Sequence, residues 1–369
     1  DLEQKVDFMG DFSDAFNRMT QQLKDSYEEL ERRNQFIRKT FGRYTSDEIV
    51  EALLDVPEGL QLGGEKREIT ILMSDLRGFT ALAERLEPTE VVALLNHYLS
   101  AMVEIIQSHG GTIDEIIGDA ILVLFGAPVV QEDAPLRAAR CALAMQKAMG
   151  VVNSFCEQKG WPRIEMGIAL HKGPVVVGNI GSEKRSKYGV VGRTVNLTAR
   201  IDSWSGGGQG LVSPTLIDSS RGRLILGDEI EVHAKGMREA LKCRELLGHN
   251  DYPELALEDG GEDCVLLMSP LSIRYLRLTE KHLEEQLEPA LLVGLADRRA
   301  VIESSGPLSA YSNILLYLGE ESSGEVQELY SKVIRPLAES DNRYLIHFTS
   351  VAPGTQEWLS SLPRGEELV

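Results

Sequence analysis

The sequence predicts an α+β protein centred on a β-α-β-β-α-β unit, the element order of a ferredoxin-like sheet. Three observations carry that expectation. Apolar runs of strand length alternate with amphipathic stretches of helix length between residues 68 and 202. Gly118-Asp119 joins two of those runs, as a hairpin dipeptide does. A polar segment with a seven-residue apolar repeat precedes the unit, and an acidic segment of different character follows it.

The elements follow in chain order. Residues 11–38 read as one long helix in which Phe16, Leu23, Leu30 and Ile37 recur every seven residues. Phe12 and Met19 supply a second seam position, which Ser26 and Arg33 then occupy, so the pattern is a weakened coiled coil. A short helix is expected next, with Ser46 as N-cap, Asp47 and Glu48 in its first turn, and Ile49, Val50, Leu53 and Leu54 as its apolar face. Pro57 and Gly63-Gly64 mark a boundary. EITILMSDL (68–76) is then a strand, 88–111 a helix running into a glycine stop, and TIDEIIGDAILVLFG a pair of strands. A helix over 134–157, strands over 164–171 and 174–178, and a helix over 194–202 complete the unit. SGGGQG (205–210) lacks the Lys-Ser/Thr ending of a phosphate loop and reads as a connector. Residues 251–369 carry 21 acidic and 9 basic residues; the runs VLLM, ALLVGLA, NILLYLG and RYLIHF, between helical stretches, predict a small α/β domain without a catalytic constellation.

Length and composition bound the function. A chain of 369 residues holds two domains and a helical extension, and 43% hydrophobic with 26% charged residues describes a globular protein. A net charge of −19 speaks against nucleic acid as a partner. Cys141, Cys156, Cys243 and Cys264 form no CxxC pair and read as reduced core thiols. No apolar run approaches the ~18 residues of a membrane span and no signal peptide is visible, so a cytoplasmic location is expected. The chain opens at Asp1 in mid-pattern, so an upstream sensor domain, membrane-anchored or not, is expected to be missing from it.

Chemistry concentrates at ILMSDLRGFT (71–80), where an apolar strand ends in Asp75 and then Gly78. A carboxylate at the end of a buried strand is costly unless a cation meets it. Asp119, in the hairpin turn, comes to the same sheet edge if its strand lies beside the first. Two carboxylates suit a hard divalent cation that takes further ligands from substrate phosphates. Asp75 as a plain strand end and Asp119 as half of a Gly-Asp turn are the bland readings, and together with RGFT the metal reading is the stronger.

SDLRGFT, IDEIIGDAILVLFG, GPVVVGNIGS and VGRTVNLTARID together resemble the catalytic domain of class III adenylate/guanylate (nucleotidyl) cyclases, over about residues 65–248. The resemblance implies a purine-nucleotide cyclase that converts ATP or GTP to the 3′,5′-cyclic nucleotide and pyrophosphate, with two Mg²⁺ or Mn²⁺ ions per site, at a homodimer interface. It implies metal ligation by Asp75, Asp119 and the carbonyl of Leu76. Gly78, Phe79 and Thr80 would bind phosphates through their amides, and Lys235 would reach the terminal phosphates. Asn196 and Arg200 would act from the partner subunit, on the ribose and on the α-phosphate. It also implies a HAMP-like signalling helix at 1–40 and a transducer segment at 41–64, containing Arg43 and Tyr44, ahead of the cyclase domain and the acidic domain at 251–369.

Two positions of the family read the purine, and here they are Glu115 and Gly189. A carboxylate at the first favours guanine, whose N1–H and 2-amino group both donate, and Gly189 is permissive. Base rate favours ATP, so both substrates stay open. An Arg found in some relatives at the start of GIALHKG is absent, and His171 in that stretch reads as structural. The alternative is a catalytically silent nucleotide-binding sensor or scaffold, against which the intact Asp75, Asp119, Asn196 and Arg200 argue; a diguanylate-cyclase or polymerase-like sheet lacks its GGDEF-type stretch here.

Overall fold

The computed structural model describes residues 2–41, 62–232, 240–257, 264–279, 282–283, 287–296, 298–319, 327–337, 342–351 and 353–367. Contacts divide the chain into residues 1–61 and 62–369. In the first unit, α1 (Leu2–Phe41) is a single helix, longer at both ends than the heptad pattern required. Its seam residues Phe12, Phe16, Met19, Leu23 and Leu30 are all exposed. The short helix expected at 46–54, with Arg43 and Tyr44, lies outside the described residues.

The second unit opens with β1 (Gly63–Arg77), the short α2 (Phe79–Ala83) and α3 (Pro88–Ser108). There follow β2 (Thr112–Ile117), β3 (Ala120–Phe125), α4 (Ala134–Gln158), β4 (Glu165–Ser182), β5 (Arg185–Val191) and α5 (Arg193–Trp204). Then come β6 (Gly210–Val212), α6 (Pro214–Ser219), β7 (Leu224–Val232) and β8 (Leu241–His249). The sheet runs β2-β3-β1-β4-β6-β8-β7, and its first four strands have the order expected of a ferredoxin-like unit. Helices α3 and α4 cover one face, where Tyr98, Met102, Ile106, Cys141 and Met145 are buried with Leu72, Val123 and Phe125 of the strands. By length and composition α3 could cross a membrane, yet Leu94, Tyr98, Met102 and Ile106 pack into this core.

One difference concerns residues 164–178. The two strands expected there are one long strand, β4, whose residues 165–179 pair with β1, and its tip pairs with β5, a strand not among the expected elements. The strand continues through Gly173-Pro174, where β6 pairs only with residues 168–170 of β4 and β5 only from Val176 onward. Pro174 therefore faces no second ladder that needs its missing N–H.

The acidic segment corrects another expectation. It is not α/β: its described residues form β9 (Val265–Thr279), β10 (His282–Leu283), β11 (Glu288–Leu295), β12 (Arg299–Ser304), β13 (Asn313–Leu318), β14 (Gln327–Pro336), β15 (Arg343–Ser350) and β16 (Arg364–Glu367), with one helix, α7 (Pro353–Ser361). The order β9-β11-β12-β15-β14-β13 closes on itself because β13 also pairs with β9, giving an antiparallel barrel. Its interior is Ile273, Tyr275, Leu292, Ile302, Leu316, Leu329, Ile346 and Phe348. Apolar runs of four to seven residues are as compatible with a barrel wall as with a parallel sheet, and pairing alone separates the two.

Candidate active site

Strand β1 crosses the core as Ile69, Thr70, Ile71 and Leu72 and emerges at Asp75. Ser74 pairs with Ile121 of β3, while Ile117 pairs with Ala120, so Gly118-Asp119 is a two-residue turn. Gly118 takes φ 66°, a conformation that such a turn demands and a β-branched residue resists. That register delivers Asp119 to the end of β1, where its Oδ2 accepts from the Leu76 N–H at 3.0 Å. Burial, and then the neighbouring Asp75 carboxyl, push Asp119 up to about 7. Two carboxyls this close favour a shared proton or a cation. Among the described residues no group of three or more His, Cys, Asp or Glu side chains is arranged to hold a metal ion. The donors available are thus two carboxylates and the Leu76 carbonyl, an all-oxygen set that fits Mg²⁺ or Mn²⁺ completed by phosphate oxygens.

Gly78, at φ 70°, turns the chain from β1 into α2. Asp75, Leu76, Gly78, Phe79, Thr80 and Asp119 all line one pocket of about 550 Å³. The structure thus brings these residues, expected at one sheet edge, together around a single pocket.

Two members of the pocket were missed. Arg77 Nη1 donates to Asp75 Oδ2 at 3.0 Å, and its Nη2 donates to the Asp202 carbonyl at 2.7 Å, to Asp202 Oδ1 at 2.9 Å and to Ser205 Oγ at 2.6 Å. Asp202 is raised to about 6 by burial, which outweighs the opposing Arg77 charge. Arg77 stands inside SDLRGFT, where its charge beside Asp75 was a readable signal. Asp202 carried none, since no spacing rule links it to Arg77. His171 is buried, with Nδ1 2.8 Å from Ser213 Oγ, and burial pulls it down to about 4, in keeping with a structural histidine.

Residues 64–244 match the family model of the adenylate and guanylate cyclase catalytic domain. The solved structure of the guanylyl cyclase Cya2 is 48% identical, is covered over 100% of its length by 53% of this chain, and superposes with a TM-score of 0.52. The chain belongs to the adenylate and guanylate cyclase family. An adenylate cyclase of Anabaena cylindrica is 32% identical over 55% of this chain and 40% of its own length. Adenylate cyclase 1 of Rhizobium meliloti is 30% identical over 57% of this chain and 32% of its own. The cyclase chain thus spans well under half of each of these curated relatives.

The remaining cyclase positions lie apart from the carboxylate pocket. Asn196 and Arg200 are exposed on α5, whereas Ala199, Asp202 and Ser203 of the same helix line the pocket. Glu115 sits on β2 and Gly189 on β5, and neither lines it. Lys235 lies outside the described residues.

Proposed function

We propose that this chain is a nucleotidyl cyclase acting on GTP at sites shared between two copies. Its carrying observation is the split of α5: Ala199, Asp202 and Ser203 face the chain's own carboxylates, while Asn196 and Arg200 point elsewhere and are exposed. A helix so divided supports a homodimer in which each chain offers Asp75 and Asp119 to one site and Asn196 and Arg200 to the other. Bound between Asp75, Asp119 and the Leu76 carbonyl, Mg²⁺ or Mn²⁺ would acidify the ribose 3′-hydroxyl and neutralise phosphate charge. The chain's own groups do the rest. Amides at Gly78, Phe79 and Thr80 hold the phosphates, the partner subunit's Asn196 fixes the ribose, and the partner subunit's Arg200 meets the charge that grows on the α-phosphate. The 3′-oxygen attacks the α-phosphorus in line and pyrophosphate leaves.

GTP is favoured over ATP on two grounds. Glu115 is half exposed and offers acceptors that match guanine's donors. Cya2, 48% identical, is a guanylyl cyclase. The 30–32% identical adenylate cyclases support ATP less directly. Incubating the purified chain with GTP and ATP separately, with Mg²⁺ and then Mn²⁺, tests the reading. Cyclic GMP as the main product is expected; cyclic AMP alone overturns the substrate, and no cyclic nucleotide with either overturns the activity.

A further inference from the structure

One row of side chains crosses the outside of the barrel. Leu278 of β9 stands opposite Asn313 of β13, and Asn313 opposite Lys332 of β14. Lys332 in turn stands opposite His347 of β15, and His347 opposite Arg299 of β12. Directly opposed residues share a face, and successive residues of a strand alternate between faces. Ile314, Val333, Ile346 and Phe348 belong to the barrel interior, so the row faces outward. Two of its polar members are nevertheless buried, Lys332 at 3% exposed and His347 at 8%. The cyclase sheet and its helix α5 are what cover them.

Each buried member has a partner there. Lys332 Nζ donates to the carbonyls of Ser203 and Ser205, both at 2.8 Å, at the C-terminal end of α5. Carbonyls at a helix C-terminus run out of helical donors and carry its negative dipole, so a cation is favourable there. Arg77 Nη2 holds the adjacent Asp202 carbonyl at 2.7 Å, while its Nη1 holds the Asp75 carboxylate. The end of α5 is thus clasped twice, by β1 beside Asp75 and by the barrel. A second contact lies at the start of β4, where Glu165 pairs with Arg298 and accepts from His347 Nε2 at 2.5 Å. Leu278, Asn313 and Lys332 of the row, with Tyr330 and Thr349, also line the pocket of Asp75 and Asp119, so the barrel supplies part of its wall.

We propose that Lys332 is a positioning residue of the cyclase reaction: from the barrel it fixes the end of α5, and through α5 the aim of Asn196 and Arg200 into the partner subunit's site. The inference rests on the cyclase reading with its shared sites, and deepens it. Arg200 precedes Ser203 by less than one helical turn, so a shift at the clasp reaches it directly. Reacting groups need placement within about 0.5 Å, which supporting contacts from rigid strands provide. Arg200 meets charge that grows only in the transition state, so a loosened α5 lowers kcat and leaves KM nearly unchanged.

Full-length Lys332→Met, Lys332→Gln and Lys332→Arg test this by amide exchange and by kcat and KM for the nucleotide that wild type cyclises. The Met and Gln variants should exchange faster at the C-terminal end of α5 and lose at least about tenfold in kcat, with KM within about threefold. Lys332→Gln keeps a donor and carries the test should Lys332→Met not fold. Lys332→Arg can still reach both carbonyls and should hold kcat within about threefold. The triple variant Glu165→Gln/Arg298→Met/His347→Gln removes the second contact without stranding a buried charge, and its kcat should stay within about threefold.

Faster exchange with an unchanged kcat overturns the role of Lys332, and a raised kcat overturns it by making the barrel a restraint. An equal loss in the triple variant gives the effect to barrel docking as a whole, which also overturns it. Unchanged exchange in the Met and Gln variants overturns the clasp. If wild type forms no cyclic nucleotide, the cyclase reading fails and the role falls with it, told apart by that absence.

Discussion

At the scale of single residues, the site turns on how a carboxylate reaches the end of β1. Asp119 reaches it through a two-residue turn and a fixed register, so its position is held by backbone pairing. Asp75→Ala or Asp119→Ala should therefore leave the fold intact while reducing cyclase turnover by a factor on the order of a thousand or more, several kcal/mol of transition-state stabilisation. Circular dichroism and product formation under saturating Mn²⁺ check this, and substantial residual turnover contradicts the ligand assignment. Glu115→Lys should shift kcat/KM toward ATP by at least about tenfold. Adding Gly189→Asp should not help in this chain, because the new carboxylate would crowd Asp114. Only with Asp114→Gly as well should that second substitution become productive. A gain from Gly189→Asp alone would mean that Asp114 moves freely.

At the scale of elements, α5 and α1 each present a face that their own unit leaves exposed. For α5, mixing Asp75→Ala and Arg200→Ala proteins, each inactive, should restore activity, because one mixed dimer carries one intact site. No recovery after demonstrated subunit exchange would place Asn196 and Arg200 in their own chain's site. For α1, Phe16, Leu23 and Leu30 stand exposed along a seam interrupted at Ser26 and Arg33. Arg33 also pairs with Glu29 on the helix surface at 2.5 Å, an exposed contact worth little. Ser26→Leu with Arg33→Leu should lower the dimer dissociation constant and shift the basal rate, as analytical ultracentrifugation and initial rates would report. A passive spacer would change neither.

At the scale of the whole molecule, buried charge joins the barrel to the cyclase sheet. Burial alone would raise Glu165, but His347 and Arg298 outweigh it and hold the carboxyl down at about 2. A folded-state value below the unfolded one means stability fully present above about 4.5 and lost as the pH falls toward about 2, on the order of 3 kcal/mol. Glu165→Gln should flatten that part of the acid-unfolding curve and lower stability at pH 7, measured by urea titration at several pH values. A curve of unchanged slope would show that the pair adds nothing to the fold.

The sequence by itself determined the ferredoxin-like order, the Gly118-Asp119 hairpin and the two long helices that begin at 88 and 134. It also determined the meeting of Asp75, Asp119 and Gly78. All of these rest on local pattern: periodicity, a turn dipeptide, and a register that a turn of fixed length sets. Tertiary structure alone decided the rest. Continuous pairing with β1 carried β4 through Gly173-Pro174, because Pro174 had no second ladder to satisfy. Closure of β13 onto β9 made a barrel of runs whose composition fits either class. Arg77 met Asp202, and Lys332 met α5, across 125 and more residues of chain. Such contacts leave no periodic trace, since partners far apart in sequence are chosen by how folded surfaces meet.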